Sequence, residues 1–514
     1  MAVNRDLKPV LRPTGPRNWR NFHDSFKIPV KQYIDVWNGQ PSQVSVEGYN
    51  ATTKGLQNII RGALRQNDPV RALGGGWSFS KVAATDGILL NTRPLNYRFK
   101  VNADQVHPDY NGGADNLAFV QCGISIAALN RYLMGRNKSI KTSGASNGQT
   151  IAGALSTGTH GSAFDVGAIQ DYVLGLHLIV SPEKTVWIER ESQPAVSDAY
   201  ARAFQADEII RDDEVFNAAV VSFGSFGIIH GIMLSVEDLF YLQASRQLIP
   251  ANEALWQTCS TLDFPGSQLA LPRANSHRPF HFQVVIDPFE TGEAYVTTMY
   301  KDSVRALNCQ PASSGSLISQ GDTALEVVGA ILDFAADITP SVVSILTRTF
   351  YSRFENVCGT HSEIFTDTTT RGKAASSAMG IPLGQVRQAL NITLDTIKNF
   401  PAPVLVALRY VKASQATLAF THHEPITCVM EIDGPKSRRV MAVYRRIWRA
   451  LTAAGIPFTF HWGKINNLDA ENVREMYGDQ RINSWLKIRR QLLPTAKLRQ
   501  TFANDFLKRL DLAD

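Results

Sequence analysis

The sequence predicts an α+β protein with a glycine-rich, ligand-binding first half and an α+β second half that covers it like a cap. Three observations support this. Glycines concentrate in three segments before residue 232, each beside a strand pattern. Short strands alternate with helices up to about residue 240, and longer alternating strands follow. With 514 residues, 44% hydrophobic and 19% charged, the chain is long enough for two or three domains and is not disordered.

The first half contains short apolar strands that enter or leave turns. Apolar spacing and turn residues predict strands at 70–73, 89–92, 117–120 and 173–180 and helices at 126–133 and 212–221. The stretch after Gln149 carries Gly153 and Gly158 and is a poor helix.

The second half changes character after about Leu242. Its pattern predicts strands at 280–286, 404–411 and 427–432 and helices at 323–350, 438–454 and 471–510, with a break at Pro340. We expect domain boundaries near residues 240 and 455.

Charge and cysteine usage exclude several classes. Lys and Arg number 52 against 46 acidic residues, a formal charge of +6 spread along the chain, which disfavours nucleic-acid binding. The five cysteines are far apart and odd in number, which argues against a disulfide framework and a metal site. No secretory signal or uniformly apolar span is visible. We therefore expect a cytoplasmic protein without a transmembrane segment.

The three glycine segments are the strongest functional signal. They are residues 71–80 (RALGGGWSFS), 144–163 (GASNGQTIAGALSTGTHGSA) and 222–231 (SFGSFGIIHG). Small residues bury too little area to build a core, so close approach to a large ligand explains the second segment best. A tight turn remains open for the first, and strand–turn–strand for the third. No common nucleotide-phosphate motif is present.

These segments, followed by 461–464 (HWGK), resemble in order the vanillyl-alcohol oxidase family of FAD-binding PCMH-type flavoproteins. The similar branch contains aldonolactone oxidases, alditol oxidases and type II cholesterol oxidases. The resemblance implies a two-subdomain FAD-binding domain with an N-terminal extension (1–240), a substrate-binding cap with an antiparallel sheet (241–455) and a C-terminal return (456–514). It implies FAD contacts from Gly74, Gly75, Gly76, Trp77, Ser78, Phe79, Ser146, Gly148, Gly153, Ser156, Thr157, Thr159, His160, Gly227, Ile228, Ile229 and Lys464.

Two departures bear on how FAD is held. Many members attach FAD through a histidine in the first loop, where this chain has Trp77. Bicovalent relatives add a cysteine where Ser146 stands. The resemblance therefore implies non-covalent FAD, with Trp77 available to pack against it.

A third departure lies on the strand that faces the flavin in the branch. The usual E-x-R reads Ala407-Leu408-Arg409, so the arginine is kept and the glutamate is lost. Arg409 and Ala407 share a strand face. The loss argues against assuming an aldonolactone or simple alditol substrate. A surface salt bridge is the alternative interpretation of Arg409.

The next strand places Glu431 and Asp433 on one face. Burial on an apolar strand should raise the pKa of Glu431 and make it a general base, unless it is an edge charge facing water. Asp433 and His281 are further candidates for substrate contact. The resemblance gives Lys464 the role of stabilising charge on the reduced flavin and puts His461 beside it.

The leading hypothesis is an FAD-dependent oxidoreductase that moves hydride from a C–OH group, or a related C–H or C–N group, to the flavin. Its partners would be a small-molecule substrate and an electron acceptor such as O₂. A flavoprotein with a non-redox or cyclase role is one alternative. A serine hydrolase is another, because residues 144–148 fit G-x-S-x-G around Ser146.

Overall fold

A four-stranded sheet begins the fold and carries the first glycine segment at its end. The computed structural model describes residues 9–40, 43–273, 277–312, 338–365 and 374–514. The strand order is β1-β4-β6-β5, with β1 antiparallel to β4 and the other pairs parallel. The strands are β1 (Val10–Thr14), β4 (Gln32–Trp37), β5 (Val70–Leu73) and β6 (Ile88–Asn91), and a separate hairpin comprises β2 (Arg17–Arg20) and β3 (Lys27–Val30).

A second, six-stranded sheet packs in the same half of the chain. Its order is β12-β11-β10-β13-β8-β7, antiparallel except for β11 and β12. The strands are β7 (Arg98–Phe99), β8 (Leu117–Gln121), β10 (Val173–Ile179), β11 (Thr185–Glu189), β12 (Glu208–Arg211) and β13 (Ile228–Ser235), and a small pair comprises β9 (Lys138–Ser139) and β14 (Glu237–Asp238). The helices of this half are α1 (Val46–Gln66), α2 (Ile126–Met134), α3 (Ile151–Thr157), α4 (Asp198–Ala203) and α5 (Asp213–Val220).

Helix α3 corrects the expectation that the stretch after Gln149 forms no helix. The Thr150 side chain accepts a hydrogen bond from the backbone N–H of Gly153 and caps the first turn. Gly158 ends the helix in the left-handed conformation, at a φ of 78°. Of the two glycines that lowered the helix propensity of this stretch, Gly153 lies inside the helix and Gly158 terminates it.

A nine-stranded sheet dominates the second half. Its order is β18-β19-β15-β17-β16-β21-β22-β20-β23, antiparallel except for β18 and β19. The strands are β15 (Tyr241–Pro250), β16 (His281–Ile286), β17 (Glu293–Asp302), β18 (Gln310–Pro311), β19 (Phe354–Thr360), β20 (Ala374–Pro382), β21 (Leu405–Lys412), β22 (Ile426–Pro435) and β23 (Thr459–Phe460). The helices are α6 (Glu253–Thr261), α7 (Thr339–Phe350), α8 (His361–Ile364), α9 (Val386–Asn399) and α10 (Arg438–Ala453). Most of the helix expected at 323–350 lies outside the described residues.

One disulfide was not expected from the sequence. Cys309 and Cys358 are bonded, with their Cα atoms 5.6 Å apart. β18 pairs with β19, so that Pro311 lies opposite Cys358. Strand pairing thus brings together two cysteines 49 residues apart, and sequence spacing gave no sign of it. The prediction against disulfides was wrong at this pair.

The C-terminal helices pack on the first half of the chain. They are α11 (Ala470–Leu492), broken at Gly478, α12 (Ala496–Thr501) and α13 (Asp505–Arg509). The Trp485 indole donates to Val221 O at 3.2 Å, and Asn504 Nδ2 donates to Val82 O at 3.0 Å. The protein is 33% helical and 28% strand, which confirms the α+β class. Within the described ranges, no helix is long and apolar enough to cross a membrane.

Candidate active site

One cavity brings the sequence-predicted residues together. Its empty volume is about 1940 Å³, including space open to solvent, and it lies between the glycine segments of the first half and strands β20 to β22 of the second. The sequence-predicted residues that line it are Gly74, Gly75, Gly76, Trp77, Ser78, Phe79, Ser146, Gly153, Ser156, Thr157, Thr159, His160, Gly227, Ile229, Arg409, Glu431, Asp433, His461 and Lys464. Gly148, Ile228 and His281 are not among the lining residues.

The first two glycine segments pack closely against each other. A Cβ on Gly74 would lie 2.0 Å from Thr150 Oγ1, and one on Gly75 would lie 3.2 Å from Gly148 O. Gly76 has a φ of +71°, which favours glycine. Side chains at these positions would separate the segments, so the glycines create a cavity wall made of backbone.

Arg71 joins three parts of the chain beneath this wall. The buried guanidinium donates to Val82 O at 2.8 Å, to Gly224 O at 3.0 Å and to Phe502 O at 3.1 Å. It therefore ties the first glycine segment to the third and to the C-terminal helices. Burial lowers its pKa to about 10. The sequence analysis gave this arginine no role, although its place at the start of the motif was the available signal.

Trp77 packs against an N-terminal segment, residues 19–26, that the sequence analysis missed. Its indole stacks on Phe22 at 4.3 Å between ring centroids and meets His23 edge-on at 5.7 Å. Phe22 N donates to Gly76 O at 2.8 Å. Trp19, His23 and Phe26 also line the cavity. The aromatic residues in this segment were the signal that could have revealed it.

A buried charged cluster stands in the opposite wall. Arg409 Nε lies 3.0 Å from Glu431 Oε2, and Lys464 Nζ lies 3.7 Å from Glu431 Oε1. His160 Nε2 is 4.0 Å from the same Oε1 atom. The Arg409 side chain is 12% exposed and that of Glu431 is 4% exposed. Neither residue takes the alternative role of a surface charge.

Strand register explains where the carboxylate of this cluster comes from. Ala407 on β21 lies directly opposite Glu431 on β22. Glu431 therefore stands on the facing strand at the height of the position where the E-x-R pattern has its glutamate. Arg409 keeps a carboxylate partner although its own strand no longer supplies one.

The charges around Glu431 correct one prediction. Burial alone would raise the pKa of Glu431, but Arg409 and Lys464 lower it, and the net pKa is about 2. Glu431 is thus an ionised carboxylate held by cations, and the expected raised pKa is wrong. The error arose because the sequence showed the apolar strand but not the two cations facing it.

The other candidates titrate differently. Burial raises the pKa of Asp433, although Lys464 opposes the shift. Burial lowers the pKa of His160 to about 4 and that of His461 well below its usual value, so both imidazoles are neutral at pH 7. Lys464 Nζ also donates to Ser376 Oγ at 2.6 Å.

His281 lies on β16 and does not line the cavity. It is 3% exposed, and burial together with nearby Arg409 lowers its pKa to about 3. The structure does not bring it to the wall with the other substrate candidates. Alternation placed it correctly on a strand, on the same sheet face as Gln283 and its partner Arg409, but could not reveal how far along that face the cavity extends.

Ser146 does not stand on a nucleophile elbow. It belongs to a loop after Gly144 that runs on to Thr150, and the described residues 140–150 contain no strand leading into the serine. The elbow requires a strand directly before the serine and a helix directly after it. The serine hydrolase hypothesis is therefore unsupported, and no finding supports the non-redox alternative.

The cavity fits a large cofactor with polar groups. Gln149 Oε1, His23 Nδ1 and Asp433 Oδ1 are buried and have no hydrogen-bond partner within the described chain. All three residues line the cavity. Leaving such an atom unpaired costs about 1–3 kcal/mol, which a bound polar ligand would offset. The backbone wall and the cations suit a phosphate-bearing, redox-active group such as FAD.

Comparisons with known proteins agree with this fit. The family model described as "FAD binding domain" matches residues 49–189. The family model described as "D-arabinono-1,4-lactone oxidase" matches residues 281–510.

Three curated relatives give the extent of the sequence similarity. L-gulono-1,4-lactone dehydrogenase of Mycobacterium tuberculosis is 22% identical over 461 residues, 88% of this chain and 93% of that protein. L-gulonolactone oxidase of Bos taurus is 23% identical over 474 residues, 88% and 92% of the two chains. D-arabinono-1,4-lactone oxidase of Kluyveromyces lactis is 27% identical over 207 residues, 40% of this chain but only 34% of that protein. The match thus spans about a third of this yeast relative.

Two solved structures show the fold. Cholesterol oxidase from B. sterolicum has a TM-score of 0.68 at 13% identity, over 98% of this chain and 97% of that chain. 6-Hydroxy-D-nicotine oxidase from Arthrobacter nicotinovorans has a TM-score of 0.55 at 15% identity, over 88% and 90%. The predicted resemblance is confirmed: the chain matches the FAD binding domain model and the D-arabinono-1,4-lactone oxidase model, and it has the PCMH-type FAD-binding fold.

Proposed function

We propose that this protein is an FAD-dependent oxidoreductase that oxidises a C–OH group of a small organic substrate and passes the electrons to O₂ or another acceptor. One observation carries the proposal. The buried cluster of Arg409, Glu431 and Lys464 and the glycine-walled cradle line the same cavity. A charged reaction site and a cofactor-sized cradle therefore share one space.

The charges of this wall suit the reaction. Bound FAD supplies the hydride acceptor. Arg409 and Lys464 are the cations of this wall, and they lie beside Glu431, which stays ionised because its pKa is about 2. The two cations stabilise negative charge that develops beside them during the reaction. Neutral His160 and His461 add polar atoms without adding to the net charge.

A sugar lactone is the substrate class that we favour. The loss of glutamate at position 407 had argued against an aldonolactone. Glu431, however, lies directly opposite Ala407 and contacts Arg409, so a carboxylate is still present beside the arginine. The match to the D-arabinono-1,4-lactone oxidase model over residues 281–510 supports the same class. The ring hydroxyls of such a substrate would find donors and acceptors in this wall.

We further propose that FAD is held without a covalent bond. Trp77 occupies the position where many members carry the linking histidine, and its indole nitrogen is only a hydrogen-bond donor. Residues 19–26 hold its loop in place: Asn21 Nδ2 donates to Ser78 O at 3.0 Å and Ser25 Oγ donates to Phe79 O at 3.2 Å. Packing would take over the role of the covalent bond.

The test is a spectrum followed by a substrate screen. The purified holoprotein should show a flavin spectrum, and acid precipitation should release the colour into the supernatant. Under anaerobic conditions, L-gulono-1,4-lactone or D-arabinono-1,4-lactone should bleach the flavin, and cholesterol serves as a bulky comparison. Bleaching by cholesterol alone would reject the lactone, and colour kept in the pellet would reject the non-covalent site. A bound flavin that none of these, nor simple alditols, reduces would reject the oxidoreductase.

Adding an electron acceptor to the reduced protein distinguishes an oxidase from a dehydrogenase. Rapid return of colour with air and formation of hydrogen peroxide identify an oxidase. Return only with an artificial acceptor such as a quinone identifies a dehydrogenase.

A further inference from the structure

We propose that Asp433 is the proton acceptor of this site and that Glu431 is a positioning residue that holds Arg409 and Lys464. The inference rests on the proposed function, which names no acceptor for the hydroxyl proton of the substrate. With FAD bound as the hydride acceptor, the C–H and O–H bonds of the substrate would break and a C=O double bond would form. The hydroxyl proton goes to a carboxylate oxygen of Asp433, which becomes a neutral carboxylic acid.

The two carboxylates share a strand face but differ in their partners. Both oxygens of Glu431 face cations or His160 at distances of 3.0 to 4.0 Å. Asp433 makes no ion pair within the described chain, and its Oδ1 atom is buried without a hydrogen-bond partner. Asp433 lines the cavity and is half-buried as a residue. Glu431 Oε2 also lacks a hydrogen-bond partner, but it lies 3.0 Å from Arg409 Nε, whereas Asp433 has no cation at ion-pair distance within the described chain. Asp433 is therefore the carboxylate that is better placed to take a new proton.

The surroundings of Asp433 are suited to a base. Ser376 lies opposite it on β20 and hydrogen-bonds to its side chain. The same serine accepts from Lys464 Nζ at 2.6 Å. The charged and titratable groups that face Asp433 are Lys464, Glu431, Arg409 and, from α10, Tyr444. Burial and the negative charge of Glu431 raise the pKa of Asp433, which makes it a stronger proton acceptor than an ordinary aspartate while it is ionised.

The histidines of the wall are weaker candidates. His160 Nδ1 lies 2.9 Å from Gly161 O, and His461 Nδ1 accepts from Gly463 N at 3.0 Å. Burial lowers the pKa of both, as described above. An imidazole that resists protonation is a poor proton acceptor, so the carboxylate of Asp433 is the better choice.

The experiment compares Asp433→Asn with Glu431→Gln and with Asp395→Asn, an exposed control on α9 that removes the same charge. Flavin reduction is followed anaerobically by stopped flow against pH, with the lactone that reduces the wild type. We expect Asp433→Asn to slow reduction by about 100- to 10,000-fold and to remove the loss of rate at low pH. Glu431→Gln should keep that acid limb, and Asp395→Asn should match the wild type.

A second readout needs no turnover. The absorption spectrum of the oxidised flavin is titrated with pH, and the change caused by protonation of Asp433 should disappear in Asp433→Asn but remain in Glu431→Gln. An unchanged acid limb in Asp433→Asn, or its loss in Glu431→Gln, would overturn the assignment. Failure of every lactone to reduce wild-type flavin would instead count against the proposed function, and in that case the spectral titration alone decides which carboxylate titrates.

Discussion

Moving the carboxylate from β22 back to β21 should test how this cluster is built. Glu431→Ala leaves the buried Arg409 and Lys464 without their carboxylate. Removing one partner of a buried ion pair typically costs about 3–5 kcal/mol. The Arg409 side chain is 12% exposed, so water can compensate part of this loss, and we expect about 3 kcal/mol of destabilisation.

The second change, Ala407→Glu, restores a carboxylate from the opposite position. Directly opposed residues have Cβ atoms about 4.5–5.5 Å apart, so a glutamate at 407 can reach the same cations. Alone it crowds a site where Ala407 packs near Tyr295 and Tyr351 and sets two carboxylates side by side. Overpacking typically costs about 1–3 kcal/mol. Each single variant should therefore be less stable than the wild type.

The double variant is the decisive protein. In it the new glutamate is the single carboxylate of the cluster, and we expect a favourable coupling of about 1–3 kcal/mol between the two changes. Urea unfolding of the four FAD-loaded proteins, followed by flavin and tryptophan fluorescence, measures this coupling. If the two effects simply add, Glu431 does not stand in for the carboxylate missing at 407 and our reasoning about register is wrong.

Three further predictions follow from the same contacts. Phe22→Ala removes the ring that stacks on Trp77 and should speed FAD release several-fold in a dilution assay by flavin fluorescence. Phe99→Ala should not, because Phe99 is a half-buried ring whose packing cluster contributes no residue to the cavity wall. Glu431 has a folded pKa of about 2, below the unfolded value of about 4.3, so its ionisation stabilises the fold above about pH 4.3 and this contribution is lost as pH falls toward 2. The urea midpoints of wild type and Glu431→Gln should thus differ at pH 7 and converge near pH 2. Thiol titration of the unfolded protein should find three thiols before reduction and five after reduction. Five thiols before reduction would exclude the disulfide between Cys309 and Cys358.

The fold could be predicted to a large extent because its signals are local. Alternation and turn residues located β5, β10 and β21 within one or two residues, and the capping aspartate located α5. The disulfide escaped prediction because strand pairing, which is not local, brings its cysteines together. Helix α3 escaped because propensity penalises glycine inside a helix, whereas Gly158 lies at its end and Gly153 lies in a first turn that is capped by Thr150.

The sequence predicted which residues form the site but not their protonation states. The motifs identified most residues of the cavity wall, because each motif is a continuous stretch of sequence. The pKa of Glu431 depends on Arg409 on another strand and on Lys464 after β23, and no periodicity conveys those distances. The N-terminal segment was missed for the same reason, since Phe22 meets Trp77 across 55 positions of sequence.

The exchange at Ala407 and Glu431 changes how departures from a motif should be interpreted. A sequence motif describes residues along one strand, but the reaction needs a carboxylate at a given position beside the arginine. In an antiparallel sheet, two positions far apart in sequence approach that point from facing strands. A residue lost from one can be supplied by the other without moving the arginine between them. The small Ala407 is then no sign of lost activity, and the carboxylate two residues beyond Glu431 on the same strand becomes available to take the proton.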